Sequence, residues 1–286
     1  MVKDTFFQKK KSLRFRDKII ILEKPIIMGI LNITPDSFYT GSRIQDINQA
    51  ITIIERMVHD GATIIDIGAA STRPQAQIIS SHDEMNRLKP YLKELSKIFP
   101  DVWFSIDTYH SDTAKMCVQE YGFYMINDIS AYSIDPNMFK TIIELNVPYV
   151  LMHMQGNPQN MQQNPQYNDV VNDVFQFFGV KKHELTSLGL NDIIFDPGFG
   201  FGKTLQHNYQ LLKNLNDFRV LESPILVGLS RKSMIYKLLN ISSEQALNGT
   251  TVLHTLAILN GADIIRTHDV KETQEVIELL NFYGNA

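Results

Sequence analysis

Apolar residues in this chain fall in short, nearly unbroken runs separated by longer amphipathic stretches. Residues 25–31 (Pro-Ile-Ile-Met-Gly-Ile-Leu) set the type, and 63–67, 102–106, 124–126, 148–152, 193–195, 224–229 and 263–266 repeat it. Strands of a parallel sheet need such runs, because both of their faces are covered. Helices are expected between them at 46–59, 82–98, 111–121, 136–145, 170–187, 207–215, from Ser230 onward, at 245–260 and at 271–282. Several of these carry stop signals just beyond their ends, notably Asp60-Gly61, Gly122 and Gly189. About eight strands alternating with helices, with no linker-like break in composition, predict a closed (β/α)8 TIM barrel spanning 1–286 as a single domain. Residues 12–22 alternate and predict a short hairpin within an N-terminal extension, 1–24.

Polar residues gather where the predicted strands end. Asn32 ends the first; Asp66 and then Ser71-Thr72-Arg73-Pro74 follow the second. Asp107, Asn127-Asp128, His153 with Gln155, Asp196, Ser230-Arg231-Lys232-Ser233, and Arg266 with His268 follow the others in turn. In a barrel these ends open on one face, the face that carries active sites in this architecture. Asp107, Asn127, Asp196 and Lys232 suit the donors and acceptors of a polar heterocycle, since a carboxylate accepts two parallel N–H bonds from an amidine-like edge. Arg73, Arg266 and His268 supply positive charge for a phosphate or pyrophosphate, and Asn32 can ligate a metal held by that anion. Plainer roles exist: Asp107 and Asp196 as helix caps, Asp128 as a turn cap, Lys232 as a surface lysine, His153 as a structural group. Capping alone does not explain carboxylates, amides and cations after all eight strands. His82, His110, His183 and His254 have no partner that the sequence suggests.

Asp196-Pro197-Gly198-Phe199-Gly200-Phe201-Gly202-Lys203-Thr204 is the most distinctive stretch. Its alternate glycines permit positive φ and could bring backbone amides close to a ligand. The ending Gly-Lys-Thr suggests a nucleotide-binding P-loop, but the required first glycine is Pro197.

Composition narrows the picture. An apolar content of 44% supports a sizeable core, and a net charge of −4 gives no general attraction for nucleic acid or anionic membrane. The single cysteine, Cys117, fits a reducing, cytoplasmic compartment and a small core residue. No run is long enough to span a membrane, and the basic N-terminus lacks the apolar core of a signal peptide. There is no HExxH, Cys/His cluster or EF-hand loop.

Residues 26–38, 71–74, 105–108, 127–129, 152–156, 196–204, 227–233 and 261–270 together resemble dihydropteroate synthase, in order and with sensible spacing. The resemblance implies condensation of 6-hydroxymethyl-7,8-dihydropterin diphosphate with 4-aminobenzoate, giving 7,8-dihydropteroate and pyrophosphate in folate synthesis. It implies that Asp107, Asn127, Asp196 and Lys232 bind the pterin, and that Asn32, Arg73, Arg266 and His268 form the diphosphate and Mg²⁺ pocket. Thr72, Pro74, Phe201 and Ser233 correspond to the 4-aminobenzoate site, which sulfonamides also occupy. Asp107, Arg73, Arg266 and His268 are the residues expected to act on the reaction itself, by electrostatics around an early C–O cleavage. A homodimer, formed through the late helices, is likewise expected from the resemblance.

The chain departs from the family pattern at Gly68-Ala69-Ala70, where Gly-Gly-Glu is common, at Gln75, and at Ser130-Ala131-Tyr132. None of these positions has an assigned role. Two rival readings share the pterin site: a pterin-binding methyltransferase barrel, which has no need for the diphosphate cations, and a pterin-binding module without turnover.

Overall fold

The computed structural model describes residues 11–16, 18–33, 46–70 and 79–286. A hairpin of β1 (Ser12–Phe15) and β2 (Lys18–Ile21) precedes eight parallel strands: β3 (Ile26–Asn32), β4 (Ala62–Gly68), β5 (Trp103–Asp107), β6 (Met125–Asp128), β7 (Tyr149–Met152), β8 (Ile193–Asp196), β9 (Leu226–Gly228) and β10 (Ile264–Thr267). Their order is β8-β7-β6-β5-β4-β3-β10-β9. A parallel bridge from Phe195 to Ile225 joins the two ends and closes the (β/α)8 barrel. The helices are α1 (Ile47–His59), α2 (Ser81–Ile98), α3 (Ser111–Tyr121), α4 (Asn137–Leu145), α5 (Val170–Ser187), α6 (Leu205–Lys213), α7 (Ser233–Leu239), α8 (Leu247–Leu259) and α9 (Val270–Asn285).

Local chemistry sets the helix ends where it is strong. Asp46 caps α1 by accepting from the Gln49 N–H, and Gly122, at φ +69°, ends α3 in the left-handed region. The helix expected from Ser230 begins three residues later, at Ser233, and α6 gives way to a 3-10 turn, Leu215–Leu221.

The two-residue period of the strands sorts their side chains between two environments. Outward residues such as Leu31, Ile65, Ile67, Ile106, Leu151, Phe195 and Val227 pack under the helices in the main core. Inward residues divide by height. Met28, Ile64, Met125, Val150, Ile194, Leu226 and Ile264 form an apolar layer low in the barrel. Above it the inward positions are polar or glycine, except for Ile30 on β3 and Met152 on β7.

The hairpin closes the lower mouth. Leu13 is 1% exposed and belongs to the low layer, and Phe15 stacks on Trp103 with centroids 4.2 Å apart. Lys11 pairs with Asp263, and Arg14 with Asp192 and Asn146, on the turns that lead into β10, β8 and β7. The basic residues of this segment are therefore ties to the barrel's lower rim.

Candidate active site

One register row carries much of the site. Asn32 lies opposite Gly68, Gly68 opposite Asp107, and Asp107 opposite Asn127, so four adjacent strands place these residues at one height on the inner face. Asp66 lies two residues below Gly68; Arg266 and Asp196 enter from β10 and β8. Two inward positions carry no side chain. A Cβ on Gly68 would stand 3.3 Å from the Asp107 Cβ, and one on Gly228 would stand 3.8 Å from the Lys232 Nζ. These glycines keep a slot open beside the charged groups.

The charges are linked to one another. Arg266 donates from Nε to Asp66 Oδ2 at 2.7 Å and from Nη2 to Asp107 Oδ2 at 2.6 Å. Asn127 Nδ2 donates to the same Asp66 Oδ2 at 2.9 Å. Arg266, which the sequence grouped with the anion-binding cations, is thus also paired with two inner-face carboxylates. Burial raises the Asp107 carboxyl to about 7, against the opposing pull of Arg266. The Arg266 guanidinium, despite burial, is raised further by Asp66 and Asp107. Burial also raises Asp196, opposed chiefly by Lys232. Lys232 falls to about 8 through burial, partly offset by Asp196. Its ammonium donates to the Phe199 carbonyl and lies 4.8 Å from the centre of the Phe201 ring.

Neighbouring side chains take other directions. Asp128 faces the helix layer and is a turn cap, accepting from the Ser130 and Tyr132 N–H groups and from the Tyr149 hydroxyl. Those bonds hold Ala131 and Tyr132 at positive φ, where non-glycine residues are uncommon. Asp107 and Asp196 are not side-chain caps: α3 starts from His110 without a cap bond, and Thr204 caps α6.

The glycine stretch works differently from the sequence expectation. The Gly198 N–H goes to Asp196 Oδ1 and the Gly200 N–H to Asn208 Oδ1, so both amides are used within the protein. The glycines serve close packing. A Cβ on Gly198 would lie 2.0 Å from the His153 carbonyl oxygen, and one on Gly202 would lie 2.5 Å from that of Gln155. Lys203, to which the sequence gave no role, fastens the arrangement: buried, it donates to His153 Nδ1 and to the carbonyls of His153, Gly198 and Phe201, all at 3.0–3.1 Å. An ammonium so occupied is no phosphate ligand.

A second tie joins the last two strand ends. Arg231 forms a two-pronged pair with Asp269, Nε to Oδ2 at 3.0 Å and Nη2 to Oδ1 at 2.9 Å. Ser230 Oγ donates to Asp269 and accepts from the His268 N–H, so Lys232 and His268 are carried by linked loops. Ser233 opens α7, and Phe201 packs beside Tyr109, Ile129 and Met152 at the rim. Thr72, Arg73 and Pro74 lie outside the described residues, as does most of the loop after Asn32.

Three of the histidines without an expected partner have one, His82 Nε2 lying 3.0 Å from Asn86 Nδ2. His110 Nε2 is 3.0 Å from the Ile79 carbonyl, and buried His254 has Nδ1 3.1 Å from Thr273 Oγ1. The strand period was the signal that could have separated Asn127 from Asp128 and placed Asp66 beside Arg266. No local pattern points to Lys203, because two of its four acceptors, the ring nitrogen and carbonyl of His153, come from another strand end.

The pterin binding enzyme family profile matches residues 28–268. A dihydropteroate synthase of Haemophilus influenzae is 41% identical over 94% of this chain and 98% of its own length. The chain belongs to the dihydropteroate synthase family. Among solved dihydropteroate synthases, that of Yersinia pestis with a sulfonamide drug complex has a TM-score of 0.91 and 41% identity, covering 96% of this chain and all of the other. That of Xanthomonas albilineans with 4-aminobenzoic acid has a TM-score of 0.88 and 33% identity, covering 97% of this chain and all of the other. A dihydropteroate synthase is a transferase, and the inner-face row lies within the matched span. No helix among the described residues is long and apolar enough to cross a membrane.

Proposed function

We propose that this chain condenses 6-hydroxymethyl-7,8-dihydropterin diphosphate with 4-aminobenzoate, forming 7,8-dihydropteroate and pyrophosphate. The observation that carries this reading is the slot at Gly68 and Gly228, edged by Asp107, Asn127, Asp196, Lys232 and Arg266. Its carboxylates and amide match the N–H-rich edges of a dihydropterin. The 4-aminobenzoic acid bound to the Xanthomonas relative supports the second substrate.

The chemistry needs little proton transfer. The dihydropterin ring stabilises positive charge at its exocyclic methylene, so the C–O bond to the diphosphate breaks with the electron pair leaving on pyrophosphate. Ionised Asp107 offsets the cation. The neutral aromatic amine then attacks the methylene carbon, and its extra proton passes to solvent. Arg266 holds Asp107 with Nη2 and Asp66 with Nε, and it offers Nη1 to the departing anion. Arg73 and His268 add positive charge there. Thr72, Pro74, Phe201 and Ser233 receive the aminobenzoate.

Magnesium fits the diphosphate end by donor chemistry. Asn32 offers one amide oxygen, and among the described residues no group of three His, Cys, Asp or Glu is placed to hold a metal. The ion would complete its shell with substrate oxygens and water, and when bound it neutralises charge on the diphosphate.

A homodimer and a cytoplasmic setting belong to the same reading. Val252, Leu256 and Leu259 form an exposed stripe on α8, which packs between α7 and α9; Leu238 and Leu239 on α7 add to it. A helix apolar on several sides fits burial on both. The lone thiol, Cys117, is buried.

The test is turnover. Purified protein with Mg²⁺ and both substrates should release pyrophosphate and dihydropteroate in equal amounts. Pterin binding without release at any Mg²⁺ concentration would replace the reading with a non-catalytic module.

A further inference from the structure

Asp66 has no role in the scheme above, yet it is the point through which the site's two arms meet. It is wholly buried on the inner face of β4. One oxygen, Oδ2, accepts from Asn127 on β6 and from Arg266 on β10. In the strand order these donors stand two places to either side of β4, so a single atom joins three strands across a span of five. Asp66 Oδ1 has no hydrogen-bond partner among the described residues.

A carboxylate facing a guanidinium is an acceptor, which decides the orientation of Asn127. Its Nδ2 must face Asp66, and its Oδ1 is left for a ligand. Without Asp66 the amide is free to turn, and either end could meet the substrate. We propose that Asp66 is a positioning residue that presents Asn127 to the dihydropterin as a hydrogen-bond acceptor for a ring N–H, while holding the Arg266 guanidinium against Asp107. This inference rests on the dihydropterin reading above.

Calorimetric titration of 6-hydroxymethyl-7,8-dihydropterin separates the two proposals, since it requires no turnover. Wild-type protein that binds no pterin overturns the proposed function. With wild-type binding in hand, Asp66→Ala should weaken pterin affinity roughly ten- to hundredfold. Its KM for 4-aminobenzoate should stay within about twofold, since uniform binding of that substrate is untouched. Asp66→Asn retains an acceptor oxygen and should recover most of the affinity.

The decisive variant is Asp66→Ala/Asn127→Asp. A carboxylate at position 127 is an acceptor at both ends, so it needs no anchor to orient it, and the net charge of the pair is unchanged. The double variant should bind the pterin at least fivefold more tightly than Asp66→Ala, a non-additive recovery of the kind that contacting residues give. Equal affinity of the double and single variants, or wild-type affinity in Asp66→Ala, overturns the inference. If Asp66→Ala does not fold, the near-isosteric, apolar Asp66→Leu takes its place in both variants.

Discussion

The Asp107 carboxyl and the Lys232 ammonium titrate close together, and they must hold opposite charges for the proposed chemistry. Asp107, raised to about 7 by burial, has to be ionised, and Lys232, lowered to about 8 by burial, has to be protonated. Activity should therefore rise as pH passes through the first value and fall through the second, giving a narrow bell in kcat/KM for the pterin diphosphate. Lys232→Arg, which keeps its charge, should lose the alkaline limb; an unchanged limb would assign it elsewhere. Packing at the glycine stretch gives a second test. A methyl at Gly198, at φ +68°, would lie 2.0 Å from the backbone carbonyl of His153, whereas one at Gly200 would meet only the Lys232 Cδ at 3.4 Å. Urea denaturation should show Gly198→Ala losing roughly 3–5 kcal/mol and Gly200→Ala about 1–2 kcal/mol, the latter from its left-handed backbone alone. At this scale the sequence was legible for groups that follow a strand directly, such as Asp107, Asn127 and Asp196. It was not legible for Lys203, half of whose acceptors, the carbonyl and ring nitrogen of His153, lie at the β7 end, 50 residues away.

Elements were most readable where the chain itself signals their ends. The α3 and α5 limits follow from Gly122 and from the Asp169 cap, and both helices fall where their pattern places them. The helix after β9 was misplaced because Ser230, Arg231 and Lys232 are held out of helical register by distant groups. Arg231 sits at φ +52° with its N–H on Thr250 and its guanidinium on Asp269. Those partners lie 19 and 38 residues on, beyond any local pattern. Asp269→Ala should remove that tie and leave a largely buried cation, costing roughly 2–4 kcal/mol. Because Lys232 and His268 ride on the two loops so joined, kcat/KM should fall as well. Thermal melts and steady-state kinetics on the same preparation check both, and a stable variant with full activity would show the pair to be dispensable.

For the whole molecule, the exposed stripe on α8 calls for a partner surface. Leu256→Asp places a charge in its middle and, on the proposed dimer, should sediment as a monomer in analytical ultracentrifugation where the unchanged protein should sediment as a dimer. Barrel closure was readable from strand count and apolar runs; the division of its lumen into apolar and polar storeys was readable only once each strand's inward residues were known. The hairpin at the lower mouth has a kinetic consequence. With Leu13 seated in the apolar layer like a stopper, the described residues leave the site's row of charges facing the upper mouth. On the proposed reaction, whichever reactant rests deepest should arrive before its companion, an order that product-inhibition kinetics would check.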